Sequence, residues 1–249
     1  PENVSYNAHM GKSKLFNNIV YAYLKNTFYK NFDRIHCPSA FIANQLAKHG
    51  YCGELYVISN GYDKAFLPVQ NKVKNEKFEI VMVGRLAPEK NQKVIISAIA
   101  QSRYRDKICL TLLGNGSCKK KLARQAEKLG VDVSFDFLPK DKLIEKLQAC
   151  DLYVHSATVE IEAIACIEAI ACGLVPVIAD SALSATPQFA LDARSLFKDD
   201  DAESLARKIE YWYENPDERA KMSGRYANYA KKFSLENSLQ LAEAMFADQ

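Results

Sequence analysis

Residues 156–180, SATVEIEAIACIEAIACGLVPVIAD, decide the fold of this chain. Within them, the apolar run 163–172 predicts a helix, and Gly173 stands where helices commonly end. The run DLYVHS just before this stretch and the run VPVIAD at its end are short and rich in apolar residues, which predicts two strands. The stretch is therefore predicted to lie at the centre of a strand–helix–strand unit.

Two glutamates in this stretch are candidates for ligand binding. The predicted helix is apolar on every side except at Glu168, so we expect it to be buried, where a carboxylate needs hydrogen bonds. Glu160 lies in the loop before the helix, close to N-terminal N–H groups that suit a phosphate. A carboxylate can accept two hydrogen bonds from a sugar diol. The pattern alone leaves open the alternative that Glu168 pairs with a core Arg or Lys and that Glu160 is solvated.

Length and composition are those of a globular protein. The chain has 249 residues, of which 48% are hydrophobic and 25% charged, enough for one large or two modest domains. No apolar run is long enough to predict a transmembrane helix, and no signal peptide is visible. The seven cysteines are scattered without a C-x-x-C pair, which favours reduced core residues in the cytosol over a disulfide framework or a zinc site.

The net charge of +3 comes from the N-terminal part. Residues 1–60 hold six Lys or Arg and three acidic residues, and the charges of the remaining chain cancel. Residues 13–32 have apolar residues at helical spacing, with lysines among aromatic residues. This pattern fits a helix packed on a sheet with solvated lysines, or a helix lying on an anionic membrane surface. Nucleic-acid binding is not expected, because the basic residues are too sparse.

Charged and small residues follow the other predicted strands. Gly84 and Arg85 follow the run FEIVMV, and Lys90 comes five residues later. Cations at the carboxyl end of a strand suit a diphosphate in the crevice of an open α/β sheet, although taken alone they would be surface charges. Gly114 and Asn115 follow the run ICLTLL, but the G-x-G there lacks a third glycine, so an NAD site is poorly supported.

The Glu160 to Glu168 spacing, followed by small residues, Gly173 and Pro176, resembles the nucleotide-sugar signature of retaining glycosyltransferase family 4, which has the GT-B fold. The Gly84, Arg85 and Lys90 segment is also similar to one in that family.

This chain departs from the family pattern at four places, two of which are Phe137, in a strand-end turn where the family often has Gly, and His155, where it often has Pro. Residues 161–163, Ile-Glu-Ala, stand where the family usually has Gly-Phe-Gly, and Asn91 stands where it usually has Gly.

The resemblance implies an α/β protein of the GT-B fold. Its Rossmann-like, doubly wound parallel sheet is expected to be complete in the C-terminal domain, with only a partial N-terminal domain. The implied boundaries are a partial acceptor-side domain at 1–63, a linker at 64–77, a nucleotide-sugar-binding domain at 78–233 and a helix at 234–249 that crosses back to the N-terminal domain.

The resemblance also implies a site. Arg85 and Lys90 are expected to neutralise the leaving diphosphate, Glu160 to hold sugar hydroxyls, and Glu168 to hold the ribose diol. The other expected donor-site residues are Gly84, Gly114, Asn115, Phe137, His155, Ile164 and Ala165. No metal and no other cofactor is expected, since the two cations supply the positive charge.

The expected reaction moves a hexose, with glucose as the expected sugar, from a UDP-sugar to a lipid or glycan acceptor with retention. Residues 1–60 resemble bacterial glucosyltransferases that act on diacylglycerol, which favours a lipid acceptor at the cytoplasmic face of a membrane. The alternatives are a non-catalytic nucleotide-sugar-binding module and a polysaccharide or cell-wall glycosyltransferase. The chain opens at Pro1, and a truncated, inactive fragment of such an enzyme is a further alternative.

Overall fold

The computed structural model describes residues 14–69, 72 and 75–247. Expectations for residues 1–13, for linker residues 70, 71, 73 and 74, and for residues 248–249 lie outside this range. In the described part, a six-stranded parallel sheet with flanking helices forms the main body, and a parallel pair of strands forms a second, smaller sheet.

The N-terminal part begins with helix α1, Lys14–Tyr23. The chain then continues as a π-helical turn, Leu24–Phe28, and a 3-10 turn, Tyr29–Asn31, so the α-helix expected over 13–32 ends at Tyr23. The hydroxyl of Thr27 donates a hydrogen bond to the carbonyl of Tyr23 at 2.6 Å. Side-chain bonds of this kind compete with the regular backbone ladder.

The smaller sheet consists of β1, Arg34–Cys37, and β2, Glu54–Val57, joined by helix α2, Ala40–Lys48. The two strands are parallel. Ser39 caps α2 by accepting a hydrogen bond from the N–H of Ile42, as its position before the helix predicts.

The main sheet has the strand order β5-β4-β3-β6-β7-β8, and every pairing in it is parallel. Its strands are β3 Phe78–Val83, β4 Ile108–Leu113, β5 Val133–Asp136, β6 Leu152–His155, β7 Pro176–Asp180 and β8 Leu196–Lys198. The strand order reverses between β3 and β6, and ligands of open α/β sheets bind in the crevice beyond the carboxyl ends of such strands. The doubly wound sheet predicted from the sequence is therefore confirmed.

Seven α-helices follow in the described part of the chain after β2. They are α3 Gln92–Gln101, α4 Lys119–Leu129, α5 Lys140–Ala149, α6 Ile164–Ala171, α7 Ala202–Glu214, α8 Pro216–Ala230 and α9 Leu235–Ala247. Asp201 caps α7, because its side chain accepts a hydrogen bond from the N–H of Ser204. Helix α8 ends at Ala230, and the chain continues as a 3-10 turn, Lys231–Phe233.

The central helix α6 is one residue shorter at each end than the predicted helix 163–172. Ala163 has φ 69° and ψ 59°, which is left-handed backbone, so the helix begins after it. At the other end, the N–H of Gly173 bonds to the carbonyl of Ile170 and the N–H of Leu174 to that of Ala169, both at 3.0 Å. These two bonds form a Schellman motif, which stops the helix at the glycine as the sequence predicts.

Helix α9 contacts the N-terminal part of the chain. The Arg34 guanidinium donates to the carbonyl of Met245 at 2.5 Å. Just before α9, Tyr62 bridges to Ser234 in parallel fashion. These contacts hold the smaller sheet against the end of the larger body.

Candidate active site

A cavity of about 330 Å³ opens beyond the carboxyl ends of β3, β4 and β5. Five residues predicted for the donor site line it: Gly84, Arg85, Gly114, Asn115 and Phe137. Leu138 and Leu143 add apolar walls, and Phe137 is 74% exposed at the rim. A cavity with apolar walls, an exposed aromatic ring and backbone at strand ends suits a nucleobase and its ribose.

Gly114 is required by the close approach of two strand ends. Its φ is 150°, and a Cβ at this position would lie 2.1 Å from the carbonyl oxygen of Gly84. No side chain fits there, so glycine is needed for the two loops to come this close.

Lys90 lies beside this cavity. A methyl group added at Gly84 would lie 3.9 Å from Cε of Lys90. The loop that carries Lys90 is tied to the loop after β6, because the Ser156 hydroxyl donates to the Lys90 carbonyl at 2.8 Å and the Thr158 N–H donates to the Glu89 carbonyl at 2.9 Å. The predicted cation and the predicted Glu160 loop are thus brought together.

A cluster of three polar side chains lies where these loops meet. The ammonium of Lys90 forms a short ion pair with Oε1 of Glu160. The Nε2 atom of His155 lies 3.3 Å from the same oxygen, a close polar contact that falls short of hydrogen-bond geometry. The Glu160 side chain is only 14% exposed, so it is not the solvated residue that the alternative interpretation expected.

These neighbours set the protonation of Glu160. Burial by itself would raise its pKa, but His155 and Lys90 outweigh burial and lower the pKa from 4.5 to about 2. The carboxylate is therefore charged at every physiological pH. No partner in the described residues occupies its second oxygen, Oε2, which can accept hydrogen bonds from a ligand.

Arg85 is oriented differently from Lys90. Its side chain is 69% exposed, and its guanidinium donates to Glu89 at 2.9 Å. It lines the cavity, but an exposed ion pair of this kind is weak, so the guanidinium can leave Glu89 for a phosphate at little cost.

The start of α6 presents free backbone N–H groups. No acceptor within the described residues pairs with the N–H groups of Ile164 and Ala165, the first two residues of the helix. The helix dipole adds positive potential at this end. Ala163, where the resembling family usually has glycine, supplies the left-handed residue before the helix. That these N–H groups bind a phosphate stays a prediction.

Glu168 lies on α6 and has no hydrogen bond or ion pair within the described residues. The alternative that it pairs with a core Arg or Lys is therefore wrong. Burial raises its pKa from 4.5 to about 7; the nearby Lys140 opposes this rise and Asp63 adds to it. Lys140 instead pairs with Asp63 at 2.5 Å. The free carboxyl group of Glu168 is available to a ligand diol.

Two residues of this region were not anticipated as functional from the sequence. Tyr153 is fully buried on β6, and its hydroxyl lies 3.1 Å from Nδ1 of His155. Glu162 is buried and bonds to Ser59 and Asn60 in the N-terminal part. The only signal in the sequence was Glu162 itself. It stands where the family that this chain resembles usually has an aromatic residue.

The comparisons with known proteins concern the family and the fold of this chain. The sequence model described as "Glycosyl transferases group 1" matches residues 63–233, which is more than half of the chain. Among solved structures, the catalytic domain of cholesterol-alpha-glucosyltransferase from Helicobacter pylori is 51% identical, with a TM-score of 0.59, over 63% of this chain and 99% of that chain.

More distant relatives cover more of this chain. The alpha-monoglucosyldiacylglycerol synthase of Streptococcus pneumoniae (strain ATCC BAA-255 / R6) is 24% identical over 192 residues, 70% of this chain. This chain spans only 43% of that curated relative. Anabaena HepE in complex with UDP and glucose is 18% identical, with a TM-score of 0.80, over all of this chain and 70% of that chain, which is a likeness of fold.

The family model matches residues 63–233, and the chain has the parallel sheet with a cavity at its strand ends. The chain belongs to the group 1 glycosyl transferases and has the GT-B fold.

Proposed function

We propose that this chain carries the donor site of a retaining glucosyltransferase that moves glucose from UDP-glucose to a hydroxyl group of a membrane lipid. The observation that carries the proposal is the charged cluster of Lys90, Glu160 and His155 beside the cavity formed by the ends of β3, β4 and β5. It combines a cation for phosphate with a fixed carboxylate for sugar hydroxyls.

The donor is proposed from the shape of the site and from the relatives. The cavity takes the uracil and ribose, with Phe137 against the base and Glu168 on the ribose diol. Anabaena HepE, which shares the fold, was crystallised with UDP-glucose, and the Helicobacter relative is named a glucosyltransferase. Glucose and uridine are therefore the sugar and base that we propose.

Retention is proposed from the names of two relatives. Both the Helicobacter and the Streptococcus proteins are named for alpha-glucosyl products. Because UDP-glucose is itself α-linked, an α product requires that the configuration at the anomeric carbon be kept.

In the proposed step, the acceptor oxygen forms a bond to the anomeric carbon as the bond from that carbon to the diphosphate breaks. Lys90, Arg85 and the N–H groups of Ile164 and Ala165 stabilise the charge that grows on the diphosphate. The acceptor's proton passes to an oxygen of the leaving phosphate. Glu160 binds sugar hydroxyls through Oε2 and orients the anomeric carbon, so no metal is needed in this scheme.

The acceptor is proposed to be a lipid. The relative that is 51% identical is named for cholesterol, and the curated relative for a glucosyldiacylglycerol. Among the described residues, no helix is both long and apolar enough to cross a membrane. The segment 14–32 exposes Ile19, Tyr23, Phe28 and Phe32, together with Lys30. We propose that this surface rests on the cytoplasmic face of an anionic membrane.

The test has two parts. Calorimetric titration with UDP, UDP-glucose, GDP-mannose and NADH should show binding of the uridine nucleotides alone. Labelled UDP-glucose is then given with vesicles that contain cholesterol or diacylglycerol, and glucosyl lipid is measured by chromatography. Glu160→Gln should reduce transfer at least a hundredfold, whereas Glu127→Gln, at an exposed position of α4, should not change it.

Each outcome has a distinct meaning. Binding of UDP-glucose without transfer to either lipid would favour a nucleotide-sugar-binding module or a glycan acceptor. Binding of NADH alone would overturn the glycosyltransferase proposal. Products with β linkage would overturn the proposed retention.

A further inference from the structure

Glu162 makes a set of contacts that the proposed reaction does not use directly. It lies two residues after Glu160 in the loop from β6 to α6 and is only 4% exposed. Its carboxylate accepts hydrogen bonds from the hydroxyl of Ser59, from the backbone N–H of Asn60 at 3.0 Å, and from the side-chain amide of Asn60. A buried carboxylate is costly unless it is bonded in this way, so the arrangement is specific.

All of these donors belong to one turn, residues 59–62, which we call the Asn60 turn. The Ser59 hydroxyl also accepts a bond from the N–H of Gly61 at 3.1 Å, which leaves its proton for Glu162. The turn is therefore organised internally to present three donors to one carboxylate.

The Asn60 turn is itself fixed on its other side. The N–H of Tyr62 donates to the carbonyl of Phe233 at 3.1 Å, and the N–H of Leu235 donates to the carbonyl of Tyr62 at 3.0 Å. A Cβ at Gly61, whose φ is 80°, would lie 2.6 Å from Cα of Leu235. The turn is thus packed tightly against the junction of α8 and α9 and forms a stiff support.

The neighbouring residues of the same loop are held from both sides. The Ser39 hydroxyl at the start of α2 donates to the carbonyl of Ile161 at 2.6 Å. The carbonyl of Glu160 accepts from the N–H of Ala185 at 3.0 Å. Residues 161 and 162 are therefore bound to the N-terminal part, while the backbone of Glu160 is bound to the loop after β7.

We infer that Glu162 is a positioning residue: by anchoring its loop to the Asn60 turn, it fixes the direction in which Glu160 presents Oε2 to the donor sugar. This inference rests on the proposed function, because it assigns Glu160 to the sugar. It follows that the N-terminal part contributes to the donor-sugar subsite through Ser59 and Asn60, without touching the sugar.

The contacts of Glu162 are expected to affect the binding of the sugar and not that of the nucleotide. UDP alone is bound by the cavity and by the cations, which Glu162 does not touch. Loss of the Glu162 anchor should therefore leave the affinity for UDP within about twofold. It should weaken UDP-glucose about tenfold and lower kcat for transfer by a similar factor, because a tenfold effect corresponds to about 1.4 kcal/mol, the size of one lost hydrogen bond.

The experiment measures the affinities for UDP and UDP-glucose, and kcat and KM for transfer, with the full chain and its variants. The variants are Glu162→Ala, Asn60→Ala and the double variant Glu162→Gln with Asn60→Asp. In the native chain the Asn60 amide donates to the Glu162 carboxylate. In the double variant the amide introduced at position 162 would donate to the carboxylate introduced at position 60, so the bond between the two side chains is retained. We expect both single variants to lose sugar-dependent affinity and the double variant to recover most of it. Circular dichroism checks that each variant is folded.

The outcomes are distinguishable. If the native chain binds neither UDP nor UDP-glucose, the proposed function fails, and the inference fails with it. If the native chain binds both and the variants weaken both equally, or weaken neither, only the role of Glu162 is overturned. Should Glu162→Ala not fold, Asn60→Ala and the double variant give the same comparison.

Discussion

The Nε2 atom of His155 lies 3.3 Å from Oε1 of Glu160, while Nδ1 of the same ring lies 3.1 Å from the hydroxyl of Tyr153. Tyr153 and His155 are two residues apart on β6 and so point to the same side of the sheet. The imidazole is thus fixed between a phenol and a carboxylate. Since Lys90 also pairs with Oε1, two nitrogen groups contact one oxygen of Glu160, and the other oxygen has no partner among the described residues.

The lowered pKa of Glu160 predicts a pH dependence of stability. The folded-state pKa is about 2, below the ordinary value of 4.5, so the charged carboxylate stabilises the fold above pH 4.5. This contribution is lost as the pH falls from 4.5 towards 2. Its full size is about 3 kcal/mol, from about 1.4 kcal/mol for each unit by which the pKa is lowered. Urea unfolding between pH 6 and pH 3 should show a smaller acid-induced loss in Glu160→Gln than in the native chain.

The control for this prediction is Glu127→Gln, which removes a carboxylate from an exposed position of α4. It should lose stability on acidification as the native chain does. Parallel pH curves for the native chain and Glu160→Gln would contradict the assigned cluster.

The sequence predicts which residues approach one another better than it predicts what they bond to. Lys90 and Glu160 follow β3 and β6, and the carboxyl ends of neighbouring parallel strands meet at one edge of a sheet, so their proximity follows from the fold. The ion pair between them depends on side-chain directions across 70 positions of sequence, which no local pattern encodes.

The contacts of Glu162 are still harder to predict from the sequence. Its partners Ser59 and Asn60 lie more than 100 positions away, and the sequence around it reads only as a loop before a helix. The left-handed backbone at Ala163 was also beyond prediction, because alanine normally favours the helix in which the apolar pattern places it.

Glu168 should lose its proton near neutral pH and thereby control nucleotide affinity. Its folded-state pKa is about 7, so the charged form that accepts both ribose hydroxyls becomes dominant only above pH 7. We expect the affinity for UDP-glucose, whose diphosphate has no group that titrates near neutral pH, to rise between pH 6 and pH 8, and this rise to disappear in Glu168→Gln. Titration calorimetry at constant ionic strength measures it, and a native chain whose affinity does not change with pH would contradict the assigned diol contact.

The same carboxyl group should destabilise the free protein in alkaline solution. A folded-state pKa above the ordinary value of 4.5 means that stability falls as the pH rises from 4.5 through 7. At pH 8 and without ligand, Glu168→Gln should be more stable than the native chain by about 1–2 kcal/mol, allowing for its partial exposure. Thermal unfolding of both proteins at pH 5 and pH 8 tests this prediction. An equal difference in stability at the two pH values would contradict it.

Ala163 should be replaceable by glycine with a gain in stability. Left-handed backbone destabilises a residue that has a Cβ by about 1–2 kcal/mol, and glycine removes this strain. Glycine also makes the unfolded chain more flexible, which lowers the stability by about 0.5–1 kcal/mol. Ala163→Gly should therefore raise the free energy of unfolding by about 0.5–1 kcal/mol. Ala171→Gly, on right-handed backbone in α6, is the matched control and should lower it by about 1 kcal/mol. Loss of stability in both variants would mean that Ala163 is not left-handed.

Phe137 should contribute to nucleotide affinity and little to stability. Its ring is 74% exposed at the rim of the cavity, so its removal leaves no void in the core. Stacking of a base on an aromatic ring is worth about 1–3 kcal/mol, so Phe137→Ala should weaken UDP binding about tenfold or more. Phe246→Ala, at an equally exposed ring on α9, should leave the affinity unchanged. Unchanged affinity in both variants would place the base elsewhere.

The segment 14–32 should bind anionic membranes through Lys25 and Lys30. Each lysine close to such a surface contributes about 1 kcal/mol, so the double variant Lys25→Gln with Lys30→Gln should bind vesicles of phosphatidylglycerol about 30-fold more weakly at low salt. The matched control is Lys119→Gln with Lys120→Gln, at exposed positions of α4. Co-sedimentation with vesicles measures binding, and the difference between the two pairs should shrink at high salt because exposed charges are screened. An equal loss in both pairs would show that only the overall charge matters, and would remove the reason to place this segment on the membrane.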